Sequence, residues 1–453
     1  MTDGKGDYTF RSRESIPPGS SVAVEADAVD GFRLAARSVA VLSGTDAQKT
    51  YGTVVAGLKK SASVPAAPSI LSDWITAKLW PAMKDAALAL ICAKKLGRAV
   101  VLRFHGDADG ICGAFALTSA VSCRAFQQNS AIYSVRDALR DMAAIGQENR
   151  PLIILLDFGS NDASVEGLNL LKAAGIEAMI IDHHPPGKAN ESQIVSPFRV
   201  AGGGAGDGAG SETRRAAGSE SGGEPGGAGS VSRYTAGYLA CEIAVACGLP
   251  KERGAELARI ACSGDKSTLL ASDGKDAKKA LVLDFLASHV SFGNNLDFYR
   301  SVMAKDELFS SILLQADESI SDAAEKALAK SKKQQRGELE IVSFPLDALV
   351  KKGEWPPSSK ITTRVYDLLC AQGDRPLLCI GYTERSIIIR LNDKAAALGL
   401  SANEFAERIK VAMADFVDGG GGHVKAGAIR VKRGFSKEVL NELLREISSA
   451  PAH

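Results

Sequence analysis

Histidine is scarce in this chain: six in 453 residues. The eight cysteines are scattered, and no two form a C-x-x-C pair. That spacing excludes zinc-ribbon and thioredoxin-like motifs. The cysteines fall mostly in apolar, helix-like stretches, such as Cys241 and Cys247 in YLACEIAVACG, and read as reduced core residues. No apolar run is long enough to span a membrane. The opening stretch MTDGKGDYTFRSRESIPPGS lacks the apolar core of a secretory signal, so a cytoplasmic location is the expectation. Net charge is almost absent, +1 from 54 basic and 53 acidic residues. Bulk charge therefore drives no binding to nucleic acid, although a local basic groove could.

What is present is an ordinary globular composition, 45% apolar and 24% charged, at a length that suggests two or three domains. Residues 1–85 form an extension of unclear fold, with SVAVEADAV and RSVAVLSG as candidate strands. Residues 70–96 read as a helix kinked or broken at Pro81. Residues 86–310 form the main domain, 311–337 a solvated helical connector, and 338–450 a smaller α+β domain.

Within the main domain strands and helices alternate. RAVVLRF (98–104) is a strand, GICGAFALTSAVSCRAF (110–126) a helix, AIYSV (131–135) strand-like and PLIILLDFG (151–159) a strand buried on both faces. ASVEGLNLLKAAG (163–175) is a helix and EAMIIDHH (177–184) the next strand. The fold class is α/β, a doubly wound, mainly parallel sheet. Residues 201–230 are glycine-rich and of low complexity, expected as a mobile loop. They lack the G-K-[ST] ending of a phosphate loop and follow no strand directly.

The acids and histidines fall at strand ends. The first strand runs into His105, Asp107 and Asp109; PLIILLDFG ends at Asp157; the next ends at Asp182, His183 and His184. A later helix end, CSGDKS, adds Asp265. Ligands bind outside the carboxyl ends of strands in an open parallel sheet. Singly, each residue is unremarkable: an Asp at a strand end commonly caps a helix, and a lone buried His is commonly a hydrogen-bonded core residue. Asp137 and Asp162 are read as solvated or capping residues. Together, so many anions facing one crevice would repel one another without cations. Mixed oxygen and nitrogen donors suit a borderline ion such as Mn²⁺. A dinuclear centre fits in-line displacement at phosphorus, so phosphoester or phosphoanhydride hydrolysis is the leading reaction class.

These residues resemble the DHH phosphoesterase superfamily. HGDADG is similar to its first motif, LLDFG to its second, DHH to its third and SGD to its fourth. DGGGGHVKAGAIRV (418–431) resembles the glycine-rich signature of the associated DHHA1 substrate-binding domain. The resemblance implies two Mn²⁺ ions, with Mg²⁺ as the substitute, held by His105, Asp107, Asp109, Asp157, His183 and Asp265, with Asp157 bridging. Asp182 would fix an imidazole tautomer, and His184 would face the scissile phosphate. Arg390 and His423 would hold substrate, and Gly419, Gly420, Gly421 and Gly422 would offer backbone N–H groups to a phosphate. Bacterial RecJ nucleases carry Asp where this chain has His105, which brings it nearer the nanoRNase, pyrophosphatase and archaeal RecJ-like branches.

The resemblance leads to an exonuclease acting on single-stranded DNA or RNA as the first expectation. KSKKQQR (330–336) and VKRGFSK (431–437) are basic stretches that could touch a backbone, or simply solvated charge. The alternative is a small-substrate phosphodiesterase acting on short oligonucleotides (nanoRNA), pAp-like nucleotides or cyclic dinucleotides. A third reading, of another class, is a replication-associated protein that binds the GINS complex.

Overall fold

A computed structural model describes residues 2–5, 7, 8, 16, 20–30, 33–146, 150–190, 192–201, 231, 233–289, 296–351 and 354–449. The glycine-rich loop expected at 201–230 lies, from residue 202, outside the described residues. The chain divides into two compact units, Met1–Asp284 with Ser291–Ser301, and Phe285–Val290 with Val302–His453.

The first unit opens with an antiparallel ribbon, β1 (Val22–Asp30) and β2 (Arg33–Val41), in the register Val22 to Val41. Helix α1 (Gly44–Ser61) follows. Helix α2 (Trp74–Lys95) starts at Asp73, whose carboxylate accepts the Thr76 N–H at 2.8 Å. It passes unbroken through Pro81, where the sequence led us to expect a kink or a break. Ile75, Leu79 and Trp80 before the proline and Met83, Ala86 and Ala87 after it are all buried. Packing on both sides offsets the hydrogen bond that proline cannot donate.

The main sheet is built from β3 (Val100–His105), β4 (Arg124–Gln128), β5 (Leu152–Leu156), β6 (Glu177–Ile181) and β7 (Ile194–Val195). Its spatial order is β4-β3-β5-β6-β7 and every pairing is parallel. Helices α3 (Ala108–Ala120), α4 (Val135–Ile145) and α5 (Val165–Ala173) connect the strands. Each residue of β5 is fully buried, which is why its sequence runs apolar without alternation. One face packs Val101, Ile153, Leu155 and Ile180 against Ala138 and Ile145 of α4 and Leu168 and Leu171 of α5. Each such buried valine, leucine or isoleucine side chain contributes about 1.5–3 kcal/mol.

Two expectations in this region are corrected. The strand lies at 124–128 and not at AIYSV, and the preceding helix ends at Ala120 and not at residue 126. Ser134 begins α4 through a capping box with Asp137, so residues 131–134 form its entry. Asp137 is the capping residue expected.

After the short helix α6 (Phe198–Ala201) come α7 (Ala236–Ala246), α8 (Lys251–Gly264), α9 (Gly274–His289) and α10 (Leu296–Met303). The fully buried Glu242 of α7 accepts backbone N–H groups from Ser69 (2.9 Å), Ile70 (2.8 Å) and Leu71 (3.0 Å). That cradle ties the entry to α2 onto α7.

In the second unit α11 (Asp306–Ala329) leads into a sheet of order β12-β13-β11-β10-β9-β8. The strands are β8 (Lys332–Arg336), β9 (Leu339–Pro345), β10 (Leu377–Tyr382), β11 (Ser386–Leu391), β12 (Val417–His423) and β13 (Ala426–Val431). Helices α12 (Ser358–Ala371), α13 (Asp393–Ala397), α14 (Ala402–Ala412) and α15 (Ser436–Ser449) accompany it. Of the stretch 311–337, expected as a solvated helical connector, residues up to Ala329 lie in α11 and Lys332–Arg336 form β8. Ala323, Ala324 and Ala327 of α11 pack against Val342, Phe344 and Ile361, and KKQQR is the edge strand β8. Lysines on an edge strand discourage association with other sheets, which accounts for that basic run.

All eight cysteines are free. No described helix is long and apolar enough to cross a membrane.

Candidate metal centre and substrate-binding residues

The order in which strands are added reverses between β3 and β5: β3 leads to β4 on one side, and β5 leads to β6 on the other. Such a switch point opens a crevice at the strands' carboxyl ends. His105 ends β3, and Asp157 follows β5. Asp157 adopts a left-handed backbone, φ +65°. This conformation is uncommon outside glycine, and Asp tolerates it better than most residues. It turns the chain sharply where the strand stops.

Three overlapping groups bring ligand atoms within 4.8 Å of one another: Asp157, His183 and His184; His105, Asp107 and Asp157; Asp109, His183 and Asp265. These seven side chains include all six ligands expected from the sequence. His183 Nε2 stands 3.3 Å from Asp157 Oδ1 and 3.4 Å from Asp265 Oδ2. Its Nδ1 lies 3.0 Å from the Tyr234 carbonyl. Nδ1–H donates there, which leaves the Nε2 lone pair facing the acids. His105 Nδ1 is 2.7 Å from Asp107 Oδ2 and 3.5 Å from Asp157 Oδ2.

Asp182 is nearly fully buried and stands behind this group. Its Oδ1 accepts the His184 N–H at 3.1 Å and lies 2.8 Å from His184 Nδ1, and its Oδ2 accepts the Ser160 N–H at 3.2 Å. With Nδ1–H given to Asp182, His184 keeps Nε2 for a ligand, and its side chain is 55% exposed. His183 has only 17% of its side chain exposed. The adjacent imidazoles thus differ in setting, one enclosed by acids and one open to solvent.

Electrostatics follow from the crowding. Burial and the neighbouring Asp265 and Asp157 hold Asp109 well above the usual carboxylate range. Asp265 is pushed up to about 7 by burial, with His183 opposing and Asp157 and Asp107 adding. Burial disfavours charge on His105, but Asp107 and Asp157 push its imidazole up to about 12. Asp109 Oδ2 and Asp157 Oδ1 are buried with no hydrogen-bond partner among the described residues. Buried carboxylate oxygens need a partner. The donor set, hard oxygen with imidazole nitrogen and no thiolate, fits divalent ions such as Mn²⁺ or Mg²⁺.

Backbone contacts from residues the sequence did not single out complete the centre. The Gly237 N–H donates to Asp109 Oδ1 at 3.0 Å. A Cβ on Gly237 would approach the Asp109 carbonyl to 2.6 Å and that carboxylate oxygen to 2.7 Å, so the position requires glycine. Asp284 accepts the Ala108 N–H at 2.8 Å. These contacts are made to backbone, so no side-chain pattern announces them. Asp162 lies apart from the three groups, its Oδ1 accepting the Ala189 N–H at 2.7 Å.

In the second unit Gly419, Gly420, Gly421 and Gly422 do not form a loop. They pair with Arg430, Ile429, Ala428 and Gly427 as part of edge strand β12. A Cβ on Gly427 would meet the Ala402 carbonyl at 2.7 Å, so the bare strands admit α14 against them. Arg390 pairs with Ala426, which pairs in turn with His423, so Arg390 and His423 stand at one level of the sheet. The His423 side chain lies outside the described residues. Arg390 Nη1 donates to the Ile389 carbonyl at 3.0 Å and Nε to Thr363 Oγ1 at 3.3 Å, both neutral partners. Burial lowers its guanidinium below its ordinary value, opposed by Cys379 and Asp367.

Residues 99–217 match the DHH family, N-terminal domain. That match takes in the strand-end acids and histidines from His105 to His184. An uncharacterized protein of Methanocaldococcus jannaschii is 25% identical over 451 residues, covering 84% of this chain and 56% of that protein. The chain thus spans little more than half the length of the curated relative it matches. Its fold is that of a solved DHH domain from a member of a ribosomal-protein family, with TM-score 0.72, 22% identity, and coverage of 90% of this chain and 99% of that one. RecJ from Thermus thermophilus, solved in complex with Mn²⁺, aligns with TM-score 0.51 and 16% identity over 82% of this chain and 55% of that one.

Proposed function

We propose that this protein is a DHH-type, metal-dependent phosphodiesterase acting on single-stranded nucleic acid from its ends. The observation that carries this reading is the convergence of seven carboxylate and imidazole side chains at one switch point of a parallel sheet. His105, Asp107, Asp109, Asp157, His183 and Asp265 would hold two ions, Mn²⁺ or Mg²⁺, with Asp157 shared between them. When bound, such ions supply an activated water and neutralise the charge that develops at phosphorus.

The chain's own residues do the rest. Tyr234 and Asp182 fix the tautomers of His183 and His184 through Nδ1. His184 is then free to donate from Nε2 to a phosphoryl oxygen when that nitrogen carries a proton. Arg390 is proposed to hold a substrate phosphate, because its hydrogen bonds to Thr363 and the Ile389 carbonyl go to neutral partners. The glycine run of the DHHA1-like segment is proposed to contribute too. Its pairing with β13 leaves only the N–H groups on the outer edge of β12 for a phosphate.

End-labelled single-stranded DNA, single-stranded RNA and dinucleotides, digested side by side with Mn²⁺, test this reading. Shortening of long single strands from one end supports it. Cleavage confined to dinucleotides supports the small-substrate alternative and refutes the exonuclease reading. Chelation should abolish activity. Restoration by Ca²⁺ as complete as by Mn²⁺ would contradict the site, because Ca²⁺ prefers more ligands at longer distances.

A further inference from the structure

We propose that Asp284 of α9 is a positioning residue for the metal centre, an inference that rests on the metal-dependent reading above. Its Oδ1 accepts the Ala108 backbone N–H at 2.8 Å, reaching across 176 positions of sequence. Ala108 stands between two of the expected ligands, Asp107 and Asp109. Asp107 itself caps the same helix, its Oδ1 accepting the Gly110 N–H at 2.9 Å. The first turn of α3 is therefore held by one local carboxylate and one distant one.

A neutral hydroxyl or amide would satisfy the Ala108 N–H without adding negative charge beside a crowded acid cluster. A carboxylate makes the shorter and stronger bond, and the positive end of α3 favours it. What it fixes is the backbone from which Asp107 and Asp109 project. A ligand displaced by a fraction of an ångström loses affinity.

The neighbouring helix α10 secures the surroundings of the same loop. Arg300 Nη2 donates to Thr118 Oγ1 at 2.5 Å, and its guanidinium lies over the Phe115 ring at 5.1 Å, both on α3. The Tyr299 hydroxyl donates to Gln127 Oε1 at 2.5 Å, and Gln127 Nε2 donates to Asn129 Oδ1 at 2.8 Å. A Cβ on Gly106 would run into Gln127 Nε2 and Asn129 Oδ1, so this pair lies against the motif loop. Helices α9 and α10 together act as a brace on residues 105–110, with Asp284 as its contact to the ligand-bearing backbone.

The test titrates metal-free, full-length protein with Mn²⁺, reading free ion by electron paramagnetic resonance. Hydrogen exchange of peptides spanning residues 104–112 is read in parallel without metal. Asp284→Ala is expected to bind Mn²⁺ about ten-fold or more weakly than the parent and to exchange faster in that peptide. Asp284→Asn, whose amide oxygen still accepts the bond but carries no charge, should fall between the parent and Asp284→Ala in both readouts. Should Asp284→Ala fail to fold, Asp284→Glu keeps the charge, displaces the oxygens by one methylene and is expected to weaken binding as well. Unchanged affinity and unchanged exchange in folded Asp284→Ala would overturn the proposal while leaving the metal reading intact. A parent protein that binds no Mn²⁺ would overturn both.

Discussion

Asp157 belongs to two of the three ligand groups, those with His183 and His184 and with His105 and Asp107. Asp157→Ala should therefore cost more metal affinity than loss of a ligand serving one position. Metal that binds only the folded state stabilises it by about 2.7 kcal/mol at one hundred times the dissociation constant. In a unit of this size each kcal/mol raises the melting temperature by about 2–4 °C. The parent should thus melt about 5–10 °C higher at that Mn²⁺ concentration. A hundred-fold weaker site would gain only about 0.4 kcal/mol at the same concentration, a shift near 1 °C. The assay is differential scanning fluorimetry, with and without Mn²⁺, on parent and variant. An equal Mn²⁺-induced rise in Asp157→Ala would refute the idea that Asp157 is shared between ion positions.

Two further outcomes follow from contacts away from the ions. Burial raises the Asp73 carboxyl, but hydrogen bonds from Thr76 and Tyr234 and the charge of Arg233 outweigh it, so its pKa is lowered. The stability this group adds is fully present above the unfolded value near ~4 and is lost as pH falls through the lower folded value. Asp73→Asn should thus weaken stability at neutral pH and flatten its decline below about pH 4 in acid-unfolding curves. Glu242→Ala would strip the acceptor from three half-buried N–H groups of residues 69–71. A loss of about 3–5 kcal/mol is expected in denaturant unfolding, and a loss below about 1 kcal/mol would mean that water replaces the carboxylate.

Much of the first unit was legible because its signals are one-dimensional. The apolar run LIILL is what a strand buried on both faces requires, and the acids after it mark where the strand stops. Edge strand β4 was missed because RAFQQ carries little apolar pattern, while AIYSV does without being a strand. Tyr133 of that stretch is buried as a side chain of the helix entry, with its hydroxyl on Asp141 at 2.7 Å. The glycine run carries no strand signal of its own, because glycine is usually a turn residue, whereas here bare strands accommodate α14. Asp284, Tyr234 and Gly237 stayed hidden because each acts on, or through, a backbone group distant in sequence.

The most direct test is a crystal of the protein grown with Mn²⁺ and measured at the manganese absorption edge. The account predicts two anomalous peaks roughly 3.5–4 Å apart, with Asp157 between them and His105, Asp107, Asp109, His183 and Asp265 around them. A single peak, or two peaks that do not share Asp157, would contradict it.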